Sequence, residues 1–148
     1  METDTIIDNV VKLIHMNKDR NIYVIGSGFA IYAVDYFIQK LIIFGYRPIR
    51  PMHYEDFDNE FDTPGLIIAL SESGTAYGIV GTVEKAISHQ FYSVAITADK
   101  DSPLANLSHF CIPIKSTKTH HTEYKPNLYI AKTLIMFELI LTKLSALL

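Results

Sequence analysis

The sequence holds one cysteine, Cys111, and no tryptophan, and neither sign of charge is in large excess. A single cysteine excludes an internal disulfide and gives no sign of an oxidising compartment. The 13 Lys and Arg residues against 16 Asp and Glu leave a net charge of −3, so the broad cationic field that holds nucleic acid is missing. We therefore expect no nucleic-acid partner, and we expect the protein to work in the cytoplasm.

A long uninterrupted hydrophobic run is also missing. The amino-terminal stretch METDTIIDNV is acidic and lacks the apolar segment of a signal peptide. The apolar carboxyl-terminal stretch is interrupted by Lys132, Glu138 and Lys143, which favours a buried helix over a membrane span. With 148 residues, 49% of them hydrophobic, the chain is predicted to form one globular domain over residues 1–148 with no membrane partner.

Strand and helix patterns alternate along the chain. The runs NIYVIG, LIIAL, FYSVAITAD and HFCIPIK have strand character, and YRPIRPM adds a candidate strand whose two prolines suit a sheet edge. LIIAL is apolar at every position, which is typical of a strand buried on both faces of a parallel sheet. Helical segments separate these runs, and an apolar helix closes the chain. The order predicts an α/β fold, a three-layer doubly wound (flavodoxin-like) arrangement with a mostly parallel five-stranded sheet.

The loop SESGT follows the central predicted strand and has the chemistry of a phosphate site. Ser71 and Ser73 supply hydroxyls, Gly74 allows close approach of the backbone, and Thr75 opens the next helix. A helix amino terminus adds free N–H groups and a favourable dipole. The alternative is an ordinary strand-to-helix turn whose serines and threonine cap the helix.

A second glycine-rich loop, Gly26-Ser27-Gly28, leaves the first predicted strand at the same edge of the sheet. It has the start of a dinucleotide-binding fingerprint, but Ile31 stands where the third glycine belongs. No acidic residue ends the second candidate strand to meet a ribose, and the chain has no Gly-Lys-Ser/Thr phosphate loop. We therefore expect no nucleotide cofactor, and no other cofactor is indicated.

Three segments together resemble the sugar isomerase (SIS) domain family, which includes phosphosugar isomerases and phosphosugar-sensing regulators. They are IYVIGSGFAIYAVDYFIQKLIIFGY, GLIIALSESGT and VAITADKDSPLANLSHFCIPI, in the family's order and spacing. The resemblance implies a sugar phosphate as ligand, with its phosphate held by the second loop at Ser71, Ser73, Gly74 and Thr75. It implies that Gly26, Ser27 and Gly28 line the same site. Two hydroxyls of the family pattern are missing or displaced, because alanines stand at Ala30 and Ala76.

Glu138 is the best candidate for a catalytic base. Aldose–ketose isomerisation moves a proton between adjacent carbons through an enediol, and a carboxylate in a partly apolar pocket can serve as the base. Glu138 lies in a helix that is apolar almost all round, and TLIMFELIL is similar to the end of hexulose-phosphate isomerases of this family. The alternative is an exposed or salt-bridged helix glutamate.

Glu55, His120 and His121 complete the set of candidate catalytic residues. Glu55 follows the second candidate strand, within an acidic segment that is otherwise typical of a solvated loop. His120 and His121 lie in the polar loop before the last helix, where a histidine could open a sugar ring, although both could equally be surface residues. Their spacing fits no standard metal site, so we expect none.

These features favour a stand-alone phosphosugar isomerase, which binds a sugar phosphate and catalyses aldose–ketose isomerisation through an enediol. The alternative is a domain that senses a sugar phosphate without altering it. Gly78 and Gly81 weaken the helix after the serine loop, which favours close approach of another backbone there. This feature, the apolar last helix and the resemblance together predict a homodimer or homotetramer.

Overall fold

The computed structural model describes residues 2–51, 64–116 and 128–148. Its helices are α1 (Glu2–Met16), α2 (Ala30–Ile43), α3 (Tyr77–Ser88), α4 (Pro103–Leu107) and α5 (Tyr129–Ser145). Its strands are β1 (Ile22–Gly26), β2 (Pro48–Ile49), β3 (Leu66–Leu70), β4 (Tyr92–Thr97) and β5 (Phe110–Pro113).

All five described strands run parallel, in the order β2-β1-β3-β4-β5. The predicted fold class is confirmed, since helices cover both faces of this sheet. The proline-containing β2 lies at an edge of the sheet, as its sequence indicates. Proline has no backbone N–H to donate, so it is tolerated in an edge strand and not in a central one. Every residue of the central strand β3 is buried, which agrees with its uninterrupted apolar sequence.

Two apolar cores fill the spaces on either side of the sheet. Helices α1, α2 and α5 pack on one face, where Phe37 of α2 stacks on Phe137 of α5 with ring centroids 4.1 Å apart. Helices α3 and α4 pack on the other face over a smaller core that includes Val83 and Leu104. Burial of these side chains is the main stabilising term.

Helix α2 ends at Ile43, two residues before a glycine. Gly45 has φ of +85°, and the N–H of Tyr46 returns to the carbonyl of Leu41, so the glycine closes the helix in a left-handed conformation. Over the described ranges, no helix is long and apolar enough to cross a membrane.

Candidate phosphate-binding site

The two glycine-rich loops lie side by side at the carboxyl edge of the sheet. β1 and β3 are neighbours, with Gly26 opposite Leu70, so the two strands end at the same level of the sheet. The helices that follow them, α2 and α3, go to opposite faces. Such a switch point leaves a crevice between the loops, and ligands of doubly wound folds bind there.

Ser71 is turned into the protein. Its side chain is buried, with 3% of the residue exposed, and its hydroxyl accepts a 3.1 Å hydrogen bond from the N–H of Gly74. Its own N–H donates to the carbonyl of Ile96 at 3.2 Å. In this structure Ser71 therefore shapes the loop from inside, and its main-chain donor is already used.

Gly74 is required by conformation and by space. Its φ of +71° lies in the left-handed region, which costs other residues about 1–2 kcal/mol. A Cβ at this position would collide with the side chain of Ser102 and come to 3.0 Å from Oγ1 of Thr97. The carbonyl of Gly74 accepts from the N–H of Leu104 at 3.1 Å, so the loop is clamped against the start of α4.

Ser73 and Thr75 face outward and are paired. Their hydroxyl oxygens are 2.8 Å apart, and the Ser73 hydroxyl also accepts from the N–H of Thr75 at 3.2 Å. One hydroxyl proton lies between the two oxygens, and the other is left to point away from the pair. Since Thr75 is exposed, that second proton can be donated to an oxygen of a ligand.

The start of α3 carries a group of open backbone donors. Among the residues that the structure describes, none accepts a hydrogen bond from the N–H of Ser73, Ala76, Tyr77 or Gly78. Ala76 is the amino-terminal cap of α3, and its methyl group cannot accept from the first turn as a serine or threonine would. These donors and the helix dipole make the loop a favourable place for an anion.

The first loop contributes less polar surface. A Cβ on Gly26 would come to 2.9 Å from Cγ2 of Val34, so glycine lets α2 pack closely on β1. Gly28 has φ of +59°, and Ser27 is exposed beside it. The N–H groups of residues 30–32 donate to the carbonyls of residues 27–29, so the first turn of α2 uses its own donors. The exposed Ser27 is the one residue of this loop with a side-chain hydroxyl.

Glu72 ties the serine loop to the segment after β5. Its carboxylate accepts a 2.7 Å hydrogen bond from the hydroxyl of Ser116. Its carbonyl accepts from the N–H of Ala98 at 2.9 Å and from the hydroxyl of Thr97 at 3.1 Å. Sequence reasoning missed these supporting contacts, although Thr97 and Ser102 both fall in the third segment that resembles the SIS family.

Two lysines lie close to this loop. A cleft of about 620 Å³ opens beside it at the ends of β4 and β5, lined by Ala98, Asp99, Lys100, Asp101, Pro113 and Lys115. Lys100 and Lys115 bring positive charge to this edge, and Asp99 and Asp101 offset it. The lysines can attract an anionic ligand to this edge of the sheet.

Glu138 is not brought together with the serine loop. It is exposed, about two and a half turns along α5, and its carboxylate accepts a 2.7 Å hydrogen bond from the hydroxyl of Tyr36 on α2. That hydrogen bond raises the pKa of Tyr36, with desolvation and the negative charge of Glu138 adding to it. The carboxylate thus lies on the outer seam between two helices and not in an apolar pocket.

The other catalytic candidates, Glu55, His120 and His121, lie outside the described residues. Over the described ranges, histidine, cysteine and carboxylate side chains form no cluster of three or more that could hold a metal ion.

Cys111, at the start of β5, is half-buried, and desolvation followed by the charge of Asp99 raises the pKa of its thiol, so it is a poor nucleophile.

Comparison with known proteins places this fold. No protein-family model and no curated protein matches the chain. Among solved structures, Vibrio vulnificus NanR complexed with ManNAc-6P superposes with a TM-score of 0.81 at 18% identity, covering 97% of this chain and 54% of that chain. The sugar isomerase domain of an RpiR transcription factor from Sphaerobacter thermophilus gives 0.80 at 18% identity, covering 96% of this chain and 78% of that one.

A third similar structure is that of a protein with an inferred enzyme activity. It is a hypothetical protein from Methanococcus jannaschii, for which a molecular function of 3-hexulose-6-phosphate isomerase has been inferred. Its TM-score is 0.76 at 19% identity, and the match covers 97% of this chain and 77% of that one. The chain therefore has the SIS fold, and the resemblance read from its three segments is confirmed for the architecture.

Proposed function

We propose that this protein binds a sugar phosphate, with the phosphate at the amino terminus of α3. The open N–H groups of Ser73, Ala76, Tyr77 and Gly78 carry the proposal, since they are unpaired among the described residues and lie at one helix end. The outward hydroxyls of Ser73 and Thr75 add side-chain donors. The sugar then extends toward the first loop, past Gly26, Ser27 and Gly28.

The residues of the serine loop divide into two roles in this proposal. Ser71 and Gly74 hold the loop in shape through buried contacts, and Ser73 and Thr75 meet the ligand. Two hydroxyls of the family pattern are absent at Ala30 and Ala76. A hydrogen bond to a charged group is worth about 1.5–3 kcal/mol, so we expect weaker phosphate binding than in SIS domains that keep both hydroxyls.

Isothermal titration calorimetry with paired ligands tests the proposal. The protein is titrated with pentose, hexose, hexulose and heptulose phosphates and with the same sugars lacking phosphate. We expect saturable binding that requires the phosphate and is weakened about tenfold by Ser73→Ala. Ser88→Ala, a matched change at the opposite end of α3, should bind as the unchanged protein does. Equal binding with and without phosphate, or none at all, would refute the proposal.

Isomerisation is the first of two activities that such a site could support. The inferred isomerase function of the Methanococcus jannaschii protein favours it. The reaction needs a base beside the bound sugar, and Glu138 is directed to Tyr36 instead. An isomerase would therefore depend on Glu55, His120 or His121, or on a Glu138 contributed by another copy of the chain. Product formation from the sugar-phosphate panel, followed by NMR, would establish this activity.

Sensing without chemistry is the second activity, and the described geometry favours it. Glu138, the candidate base, is directed away to Tyr36, and the missing hydroxyls at Ala30 and Ala76 depart from the pattern of the family. Binding that survives Glu138→Gln unchanged, with no product from any sugar phosphate, is the expected result. Turnover of any sugar phosphate, whether or not Glu138→Gln abolishes it, would overturn the sensing role.

We further propose that the protein works in the cytoplasm as a homodimer or homotetramer. Ile135 and Leu139, one turn apart on α5, are 62% and 48% exposed, and Tyr32 on the neighbouring α2 is 71% exposed. Burying such side chains against a second copy stabilises an assembly. Sedimentation velocity should give a mass above that of one 148-residue chain.

A further inference from the structure

The carbonyl of Ile96, near the end of β4, accepts two hydrogen bonds from different parts of the chain. The hydroxyl of Tyr129 donates to it at 2.6 Å, and the N–H of Ser71 donates at 3.2 Å. A carbonyl oxygen has two lone pairs, so both donors can be accepted together. The first residue of α5 and the first residue of the serine loop are thus joined through one atom.

The hydrogen bond from Tyr129 is held in place by burial. Tyr129 is 1% exposed, and burial raises the pKa of its hydroxyl far above the ordinary range. The hydroxyl therefore stays protonated, and it must act as the donor because a carbonyl has no proton to give. A buried short hydrogen bond of this kind fixes the end of β4 relative to α5.

A chain of contacts continues from this point to the open donors. Ser71 receives the N–H of Gly74 on its hydroxyl, and Gly74 is packed against Ser102. The direction of the N–H groups of Ser73 and residues 76–78 follows from where these two residues are held. Movement of the Ile96 carbonyl would therefore be transmitted to the donors that face the ligand.

We propose that Tyr129 is a positioning residue for the anion site, acting through the carbonyl of Ile96 and not through contact with the ligand. The inference rests on the proposed function, because it assigns Tyr129 a role in phosphate binding. Removal of its hydroxyl leaves Ile96 satisfied by Ser71, so the fold has no unpaired buried carbonyl there. The loop then loses one of its anchors while every ligand-facing group remains.

Tyr129→Phe tests the inference, and Tyr46→Phe is the matched control. Tyr46 is also buried, at 4% exposure, and its hydroxyl also makes a hydrogen bond, to Nδ1 of His15 at 3.2 Å, but it follows α2 near the opposite edge of the sheet. Affinity for inorganic phosphate and for fructose 6-phosphate is measured by NMR titration, with the melting temperature of each variant alongside. We expect Tyr129→Phe to bind about three- to tenfold more weakly and Tyr46→Phe to bind normally, even if both melt earlier.

The outcomes separate this inference from the proposed function. If the unchanged protein binds phosphate and both variants bind equally well, Tyr129 has no positioning role and the site stands. An equal loss in both variants would likewise overturn it, since the effect would then follow stability alone. If the unchanged protein binds no phosphate, the proposed function fails and this inference fails with it.

A second measurement applies if Tyr129→Phe does not fold. In the unchanged protein, hydrogen exchange of the Ser71 amide and the ring signals of Tyr129 are followed as phosphate is added. Coupling through Ile96 predicts slower exchange at Ser71 and a shift of the Tyr129 signals on binding. Binding that leaves both unchanged would overturn the inference.

Discussion

The hydroxyl of Tyr36 donates a 2.7 Å hydrogen bond to the carboxylate of Glu138, 102 residues later in the chain. This contact joins α2 and α5 on the outer surface of the protein, and the residues next to it in the chain, Phe37 and Phe137, stack in the core. It gives the one charged group in the middle of α5 a partner that the sequence pattern does not show. The role of Glu138 as a base therefore depends on whether this pair stays closed.

The Tyr36–Glu138 pair should titrate at high pH. Ionisation of Tyr36 would break the hydrogen bond and place two negative charges together, so the folded-state pKa of Tyr36 is raised above the unfolded value of about 10. The pair's contribution to stability is complete below pH of about 10 and is lost as the pH rises through the folded pKa. In Glu138→Gln we expect the pKa of Tyr36, followed by its ring NMR signals, to fall toward its ordinary value. An unchanged pKa would show that the pair is absent in solution.

Substitution of Gly74 should cost more stability than substitution of Gly28. Both glycines have a positive φ, so alanine at either position should lower the free energy of unfolding by about 1–2 kcal/mol because of the left-handed conformation. Among the described residues, a Cβ at Gly28 meets nothing within 4 Å, and one at Gly74 collides with Ser102, which adds about 1–3 kcal/mol. Urea unfolding of Gly74→Ala and Gly28→Ala measures the difference. Equal losses would mean that the loop does not pack against Ser102.

Neutralising Glu72 should strengthen phosphate binding. Its carboxylate lies in the loop that receives the anion, and two unit charges about 4 Å apart repel by about 1 kcal/mol even in water. Glu72→Gln keeps an oxygen that can accept from Ser116, so the loop's anchor is retained. We expect affinity to rise about three- to fivefold at low ionic strength, with a smaller gain in high salt because mobile ions screen the charge. Weaker binding would show that the carboxylate contacts the ligand favourably.

Substitution of Gly81 in α3 tests whether a second copy of the chain packs on this helix. A Cβ added at Gly81 meets none of the residues that the structure describes within 4 Å, so Gly81→Ala should stabilise an isolated monomer by about 0.5–1 kcal/mol. If a neighbouring copy packs closely on this face, the same methyl group should instead weaken the assembly. Sedimentation velocity and thermal unfolding of the variant, measured together, separate the two cases. A stabilised protein with an unchanged mass would place the interface elsewhere.

Most of the architecture could be predicted from local patterns. The buried strand LIIAL, the edge prolines at 48 and 51 and the closing Gly45 each act through rules of backbone and burial that hold within a few residues. The same holds for the position of the serine loop, because all parallel strands end at one edge. The two-residue length of β2 is not indicated by its longer sequence run.

The details of the candidate site depend on contacts between distant segments. The sequence shows a loop rich in hydroxyls, but the inward turn of Ser71 is set by Ile96 and Gly74, and the position of Gly74 is set by Ser102. Helical periodicity separates Glu138 from the lysines of α5, but it cannot show that Tyr36 packs there. The predicted close approach at Gly78 and Gly81 has no partner among the described residues of one chain, so it stays a prediction about assembly.

The amide NMR spectrum, recorded as fructose 6-phosphate is added, tests the central claim most directly. Binding at the amino terminus of α3 predicts saturable downfield shifts of the amide protons of Ser73, Ala76, Tyr77 and Gly78, because each gains a charged acceptor. The amide of Ser71, which already donates to Ile96, should shift much less. If those four amides stay in place while the sugar phosphate binds, or if no amide responds at any concentration, the anion site is not at this helix end.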